Sequence, residues 1–493
     1  MLMPPFAIRR PLALALAAAL AAVAAGCAVG PDYQRPAPPP GVDLPAFKES
    51  DLWKPAAPAL AADGQEWWQA FGDADLNALV AQANAANQSL QQAAAQYRQA
   101  QALMQGAQAA FYPTVGLGAQ AGRARSISSG LGNSHAWSLQ AAWEPDLWGG
   151  VRRRVEAAES SAQASAADLA AARLAVQAAV VNTYLQLRLL DLQKDLYART
   201  IEGYEKSLAM SQAQYRAGVV TRSDVALARS TLSSAQAQAV DLALARRQME
   251  HALAVLTGQT PAAFALPPAP LQARLPATPP GLPSQLLERR PDIAAAERRV
   301  AAANASIGVA QAAYFPHLTL SGSGGYQGSG FSHWFNMPGR VWALGAALAG
   351  TLFDGGARNA QVAQAQAGFD AAAAGYRQVV LNAFQEVEDN LAALGELERE
   401  RAAQDEAARS AHESLQVLLA QYRAGTAPYT AVITAQSLAL TADRAALQLQ
   451  GRQFAASVAL VKALGGGWNA GQLPAPGSAA TTVSSSSSST SNE

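Results

Sequence analysis

Two periodicities alternate along the chain. Long stretches built from Ala, Gln, Leu and Arg, at 73–110, 151–215, 221–257, 287–313, 357–422 and 429–464, hold little Gly and no Pro apart from Pro291 near one start, and they predict helices. At 1.5 Å per residue the runs 151–215 and 357–422 would each extend about 95 Å. Ordinary globular helices stop at about 20 residues. Ala is dense on these stretches and large apolar side chains are sparse. Small residues let helices approach closely, as in a packed tube, and the lack of unbroken Leu/Ile heptads argues against a plain two-stranded coiled coil.

The second periodicity has a period of two. Val115, Leu117, Ala119 and Ala121 alternate with Thr114, Gly116, Gly118 and Gln120. Trp137, Leu139, Ala141 and Trp143 alternate with Ser138, Gln140, Ala142 and Glu144. Leu318 and Leu320 alternate with Thr319 and Ser321, and Trp342, Leu344, Ala346, Leu348 and Leu352 share one face. Such segments predict four strands. Each has about ten residues, the length that crosses a bilayer as a tilted strand. Trp137, Trp143, Trp148, Tyr326 and Trp342 stand near strand ends, where interfacial girdles form. A soluble four-stranded sheet with one apolar face fits the same alternation.

The two patterns occur twice. AAFYPTVGLG (109–118) returns as AAYFPHLTLS (312–321), Gly149-Gly150 as Gly355-Gly356, and Tyr215-Arg216-Ala217-Gly218 as Tyr422-Arg423-Ala424-Gly425, at an offset near 200 residues. We expect a first repeat over 61–260, with strands within 112–147 and a reversal at 215–224. A Pro-rich linker follows at 261–285. The second repeat spans 286–469, with strands within 315–353 and a reversal at 422–429. Four strands cannot close a barrel, and an open edge in lipid leaves backbone groups unpaired. If the strands span a membrane, several copies must share the wall. Three copies give twelve strands above a ring of long helices, a conduit; two copies would also close.

Charge adds little, since 36 Lys+Arg balance 36 Asp+Glu over 493 residues, so no basic surplus points to nucleic acid. The single Cys excludes a disulfide framework and Cys-rich metal sites. Beyond the extreme N-terminus no unbroken run of about 18 apolar residues predicts a spanning helix. Residues 1–26 read as a signal peptide, with Arg9 and Arg10 ahead of an apolar stretch from Leu12 to Ala25. Cys27 follows Ala25-Gly26, where a bacterial lipoprotein signal places its lipid-bearing Cys. The expected group is a covalent lipid, S-diacylglycerol with N-palmitoyl, and no other cofactor is expected. Ordinary cleavage leaving a free thiol is the alternative. Residues 27–60 form a Pro-rich strap, favouring extended chain over a core. The Ser-rich tail 470–493 should be disordered.

At the reversals, Gly218 and Gly425 suit left-handed helix caps. Ser223 or Asp224 suits the start of the first returning helix, and Thr426 with Pro428 that of the second. Arg289-Arg290-Pro291-Asp292 reads as a charged helix start. The five His (His135, His251, His317, His333 and His412) are not at ligand spacing, and no nucleophile elbow or phosphate loop appears, so neither a metal site nor an enzyme is expected. The loop 326–340 reads as extracellular, with Phe331, Trp334 and Phe335 folding inward or packing on each other.

Several segments together resemble the TolC-like outer membrane factor family, in particular the lipoprotein components of tripartite efflux systems of the NodT/OprM type. They are Cys27-Ala28-Val29-Gly30-Pro31-Asp32-Tyr33-Gln34-Arg35-Pro36, LLERRPDIAAAERRVAAANASIGVAQAAYFPHLTLSGSGG (286–325), Trp67-Trp68-x-x-Phe71-x-Asp73, the paired YRAG turns and the closing Leu464-Gly465-Gly466-Gly467-Trp468. The resemblance covers nearly the whole mature chain. It implies a mostly α protein with a membrane β-barrel portion: a homotrimer with a twelve-stranded outer membrane barrel and a long periplasmic α-barrel. Implied partners are outer membrane lipid, a periplasmic membrane-fusion adaptor and an inner membrane RND-type pump, with small molecules as cargo. A duct for type I protein secretion and a non-conducting helical lipoprotein scaffold are the rival readings. In the family the two reversals form the periplasmic tip that closes the duct. The family's Asp-Ala-Gln-Arg at the constriction is matched here by Thr434-Ala435-Gln436-Ser437, without the acid or the base. The expectation is closure by hydrogen bonds among Tyr215, Arg216, Arg222, Asp224, Tyr422, Arg423 and Tyr429.

Overall fold

A helix of 67 residues cannot be stabilised by its own hydrogen bonds alone; it needs an apolar neighbour along its length. In the computed structural model, which describes residues 28–42, 44, 46–49, 66–126, 130–276, 283–329 and 339–474, two such helices occur, each folded against a shorter partner. In chain order the elements are α1 (Ala74–Ala86), α2 (Gln88–Ala109), β1 (Thr114–Ser126), β2 (Gly130–Trp143), α3 (Gly150–Arg216), α4 (Arg222–Leu256), α5 (Pro291–Ala312), β3 (His317–Gly328), β4 (Arg340–Ala349), α6 (Ala357–Arg423) and α7 (Tyr429–Ala463). At 1.5 Å per residue α3 and α6 are about 100 Å long. The signal peptide, Cys27, the loop residues Phe331, Trp334 and Phe335, and the tail from 475 onward lie outside the described residues.

Two stretches that read as single helices are broken. Asn87 interrupts 73–110: it ends α1 and caps α2, its side chain accepting from the Leu90 backbone N–H at 3.1 Å. Arg290 interrupts 287–313, because the residue before Pro291 is forced into extended backbone (φ −101°, ψ 121°). Pro291 then begins α5, where its missing N–H costs nothing.

The core lies midway along the helices. One cluster joins Trp67, Phe71, Leu76 and Val80 to Val180, Val181, Tyr184, Leu185 and Leu187 of α3, and to Phe454 and Val458 of α7. A second joins Ile293 and Val300 of α5 to Tyr376, Val380, Val387 and Leu391 of α6, and to Leu460 of α7. By composition α3 contains an 18-residue stretch apolar enough to cross a membrane. Leu174, Ala178, Val180 and Val181 of α3 pack into the first cluster and Ala167 into a smaller one, so packing accounts for part of this apolar content. The strap is extended at first, but Val42 and Phe47 plug into the second cluster, 3 % exposed each. A Pro-rich segment is thus still able to contribute two core residues.

Charge is buried beside the first cluster. Arg188, 1 % exposed, donates to Asp75 (3.1 Å), Asp191 (3.3 Å), the Pro267 carbonyl (2.8 Å) and the Tyr184 hydroxyl (3.1 Å). Arg246 donates to the same Asp191 at 2.6 Å. Each buried ion is thereby paired and hydrogen-bonded, which its burial requires.

The strands form one antiparallel sheet in the order β1-β2-β3-β4. The sheet does not close on itself: β1 and β4 are its two edges.

Candidate functional site

Three places carry functional geometry: the sheet, its junction with the helices, and the tip where the helices reverse. In the sheet, register puts Val115, Leu117 and Ala119 level with Ala141, Leu139 and Trp137, and these level with Gly322, Gly324 and Tyr326. The row continues into Leu344, Trp342 and Arg340 of β4. One face is therefore apolar across all four strands up to the level of Trp342, with Arg340 at the end of the row. The other carries Thr114, Gln120, Ser134, Ser138, Gln140, Thr319, Ser321, Ser323 and Gln327 among small residues. The apolar face is uncovered: Leu117 is 71 % exposed, Trp342 70 % and Leu344 80 %. In water such a face is a liability; in hydrocarbon it is in its proper solvent. Trp137 stacks on Tyr326 with ring centroids 5.3 Å apart. Gly325 lets β3 approach that pair, since a Cβ there would lie 2.0 Å from the Trp137 carbonyl oxygen.

At the junction, the Trp148 indole N–H donates to the Pro316 carbonyl at 2.8 Å and its ring stacks on Phe315. Gly149 and Gly356, in left-handed backbone, start α3 and α6 in corresponding places. The first described residues of the chain end here. The Val29 backbone N–H donates to the Trp148 carbonyl at 3.0 Å, and a Cβ on Gly149 would strike Ala28. Buried Arg153 donates to the carbonyls of Val29 (3.3 Å) and Gly30 (3.1 Å) and to Asp32 (2.9 Å). Asn304 donates to the Pro31 carbonyl at 2.9 Å. The residue after Cys27 is thus pinned where strands become helices.

At the tip, the reversals share their backbone. The Gly218 N–H donates to the Tyr215 carbonyl and the Val219 N–H to that of Gln214, at 3.0 and 2.9 Å. The Gly425 and Thr426 N–H groups do the same to Tyr422 and Gln421, at 3.0 and 2.9 Å. Gly218 and Gly425 have φ of 75° and 76°. The helix starts differ. Thr221, rather than Ser223, caps α4: the Asp224 N–H donates to the Thr221 hydroxyl at 3.3 Å, and the Thr221 N–H donates to the Asp224 carboxylate at 2.9 Å. Pro428 precedes α7 without a side-chain cap.

The expected network assembles only in part within the chain. Tyr422 and Tyr429 come together, with centroids 5.2 Å apart, and Ser211 of α3 lies 3.2 Å from the Tyr422 hydroxyl. Both tyrosines are buried, with Val432, against Ala228 and Leu208 of the first hairpin. Burial, reinforced by Tyr422, pushes the Tyr429 hydroxyl up to about 12. Asp224 is held by its own helix cap. Arg216 donates to the Gln212 carbonyl of its own helix, while Tyr215, Arg222 and Arg423 are exposed. Thr434 is exposed and donates back to the Thr430 carbonyl, one turn earlier. Sequence reading missed Ser207 and Ser211; the Gln436 amide donates to Ser207 at 3.0 Å. Their signal was available, as two Ser four residues apart occupy one face of a helix. Among the described residues no group of His, Cys, Asp and Glu is arranged to hold a metal ion.

The family model described as outer membrane efflux protein matches residues 79–259 and 282–466. The chain is 34 % identical over 455 residues to the pyoverdine export outer membrane protein OpmQ of Pseudomonas putida, covering 88 % of this chain and 94 % of that one. It is 34 % identical over 463 residues to the outer membrane protein OprJ of Pseudomonas aeruginosa, covering 90 % and 94 %. The solved structure of the outer-membrane channel OprN superposes with a TM-score of 0.82 at 32 % identity, over 90 % of this chain and 100 % of that one.

Proposed function

The chain belongs to the outer membrane efflux protein family, and from that premise we propose that three copies close one export duct, each giving four of twelve strands. The protein is the outer membrane channel of a tripartite efflux system, set in the outer membrane and reaching into the periplasm. The observation that carries the duct is the sheet. It is open at both edges and apolar and uncovered on one face, and it leads directly into helices of 67 residues. Unpaired edges do not persist in lipid, and the smallest spanning barrels have about eight strands. Copies must therefore supply each other's edges. The polar face then lines the lumen, and α3, α4, α6 and α7 continue it as a tube.

The partners are the other copies, a periplasmic membrane-fusion adaptor and an inner membrane RND-type pump, and the cargo is a small molecule. A relative named for pyoverdine export supports cargo of that size. The lumen face offers Thr, Ser, Gln and Gly, which discriminate little, so selectivity falls to the pump. The duct itself performs no chemical step. Cys27 carries the S-diacylglycerol and N-palmitoyl chains. The support is positional: Ala28 and Val29 sit at the strand–helix junction, so the acyl chains enter the inner leaflet beside the barrel.

The tip is the gate. Tyr422, Tyr429 and Ser211 dock the second hairpin onto the first, while Tyr215, Arg216, Arg222 and Arg423 face outward toward neighbouring copies. Gly218 and Gly425 shape the two turns, and Thr434 lies on the exposed face of α7.

Detergent-purified protein should run as a heat-modifiable trimer and conduct in planar bilayers, with conductance rising in Tyr422→Ala. A stable monomer released from membranes without detergent, and without conductance, would refute the reading.

A further inference from the structure

The four membrane strands contain three Arg and no Asp or Glu. Arg123 and Arg125 lie on β1 and Arg340 on β4. Register places all three on the apolar face. Arg123 and Arg125 follow Val115, Leu117, Ala119 and Ala121 at every second position, and Arg340 pairs with Tyr326, which pairs with Trp137. The lumen face of the strands bears no Arg or Lys. Charge has been put on the lipid side, where a stray cation is costly.

Depth resolves the cost. Arg123 stands nine residues above Thr114, where β1 begins, and Arg125 eleven. Arg340 stands nine residues above Ala349, where β4 ends. With a rise of about 3.4 Å per residue and a tilt near 40°, these are heights of about 23 and 29 Å, at the far rim of an apolar band about 25 Å tall. The helices leave from the opposite end of the strands, so this rim is in the outer leaflet.

β1 and β4 are the two edges of the sheet. In the closed trimer, on which this inference rests, β4 of one copy lies beside β1 of the next, about 4.8 Å away. Arg340 therefore meets Arg123 of the neighbouring copy at about the same height, with Arg125 about 6 Å above. Three guanidinium groups converge at each of three seams, with no strand carboxylate to balance them. Like charges on adjacent strands destabilise the pairing unless an anion bridges them.

We propose that each seam binds the phosphates of a phosphorylated glycolipid of the outer leaflet. Guanidinium groups take phosphate oxygens in a bidentate fashion. The exposed Leu117, Trp342 and Leu344 below them receive the acyl chains. Because the site is split between copies, the lipid also fastens the trimer.

The test uses the full-length protein in neutral detergent, with doubly phosphorylated lipid A, its dephosphorylated form, or inorganic phosphate added. The readouts are trimer melting on semi-native gels and retained lipid by native mass spectrometry. Only the phosphorylated glycolipid should raise the melting temperature. Arg340→Gln should weaken retention about tenfold, the scale of a lost charge-assisted hydrogen bond, with Arg340→Lys between and conductance unchanged in both. Equal shifts from both glycolipids would mean that the Arg side chains only reach for water, and would overturn the inference while leaving the duct intact. So would an equal shift from inorganic phosphate, or full retention in the combined Arg123→Gln, Arg125→Gln, Arg340→Gln protein. A wild-type monomer would remove the seam and the duct together.

Discussion

The two reversals at the tip are copies of one another in backbone and opposites in use. Each closes a 67-residue helix with Tyr-Arg-Ala-Gly, and the Gly takes the same left-handed conformation in both. Yet Tyr215 is 47 % exposed and Tyr422 is 4 % exposed. The first turn is self-sufficient, because Thr221 and Asp224 satisfy each other at the start of α4. The second has only Pro428 there, and instead buries Tyr422 and Tyr429 against the first hairpin. One reversal is thus the platform and the other the part that docks. The carboxylate of Asp224 is accordingly engaged locally, accepting from the Thr221 backbone N–H and hydroxyl.

Truncating the docked ring should separate the two turns most. Tyr422→Ala should cost the tip about 3–5 kcal/mol, the usual loss for a buried aromatic ring, and Tyr215→Ala less than about 0.5 kcal/mol, as expected of an exposed site. Hydrogen exchange over 205–232 and 415–436 measures both, and equal effects would erase the distinction. The glycines should behave alike. A Cβ at Gly218 or Gly425 meets no atom within 4 Å, so only the left-handed backbone is penalised, by about 1–2 kcal/mol in each. A large difference between Gly218→Ala and Gly425→Ala in thermal unfolding would reveal a second constraint at one turn. Thr221→Ala should destabilise the start of α4 by about 1 kcal/mol. Pro428→Ala removes no side-chain cap and should leave the start of α7 nearly unchanged by the same exchange measurement.

The last effect is silent at neutral pH. The folded tip holds the Tyr429 hydroxyl up to about 12, against 10.0 for the free group. A raised value stabilises the docked turn fully below about pH 10, and that contribution is lost as pH rises from 10 through 12. Protease sensitivity of 422–432 should rise across that window in the wild type. In Tyr429→Phe the change should be blunted.

Much of the architecture was legible because its signals are local. Ala-rich stretches, alternation over ten residues, and the recurrence of the YRAG turn each report a conformation set by neighbouring residues. The breaks at Asn87 and Arg290 were smoothed over, although Pro291 announces the second and Asn87 is a good cap. The tip was legible as a turn and not as a contact. Sequence alone grouped seven side chains there; within the chain Tyr422 and Tyr429 pack ring against ring, and Ser211, one turn before Tyr215, hydrogen-bonds with Tyr422. Nothing in the spacing of Tyr215 and Tyr422 distinguishes them.

By itself the sequence determined that the chain is written twice, that it alternates long helices with strands of membrane length, and that one copy lacks enough sheet to enclose a lumen. These follow from periodicity and from counting, which need no third dimension. Tertiary structure decided which tyrosine docks, that the residue after Cys27 is held at the strand–helix junction, and that Arg123 and Arg340 lie on the two opposite edge strands of one sheet. Those facts depend on strand stagger and helix rotation, which are set by packing between residues hundreds of positions apart. Local patterns fix what each segment becomes; only their mutual burial fixes what each side chain faces.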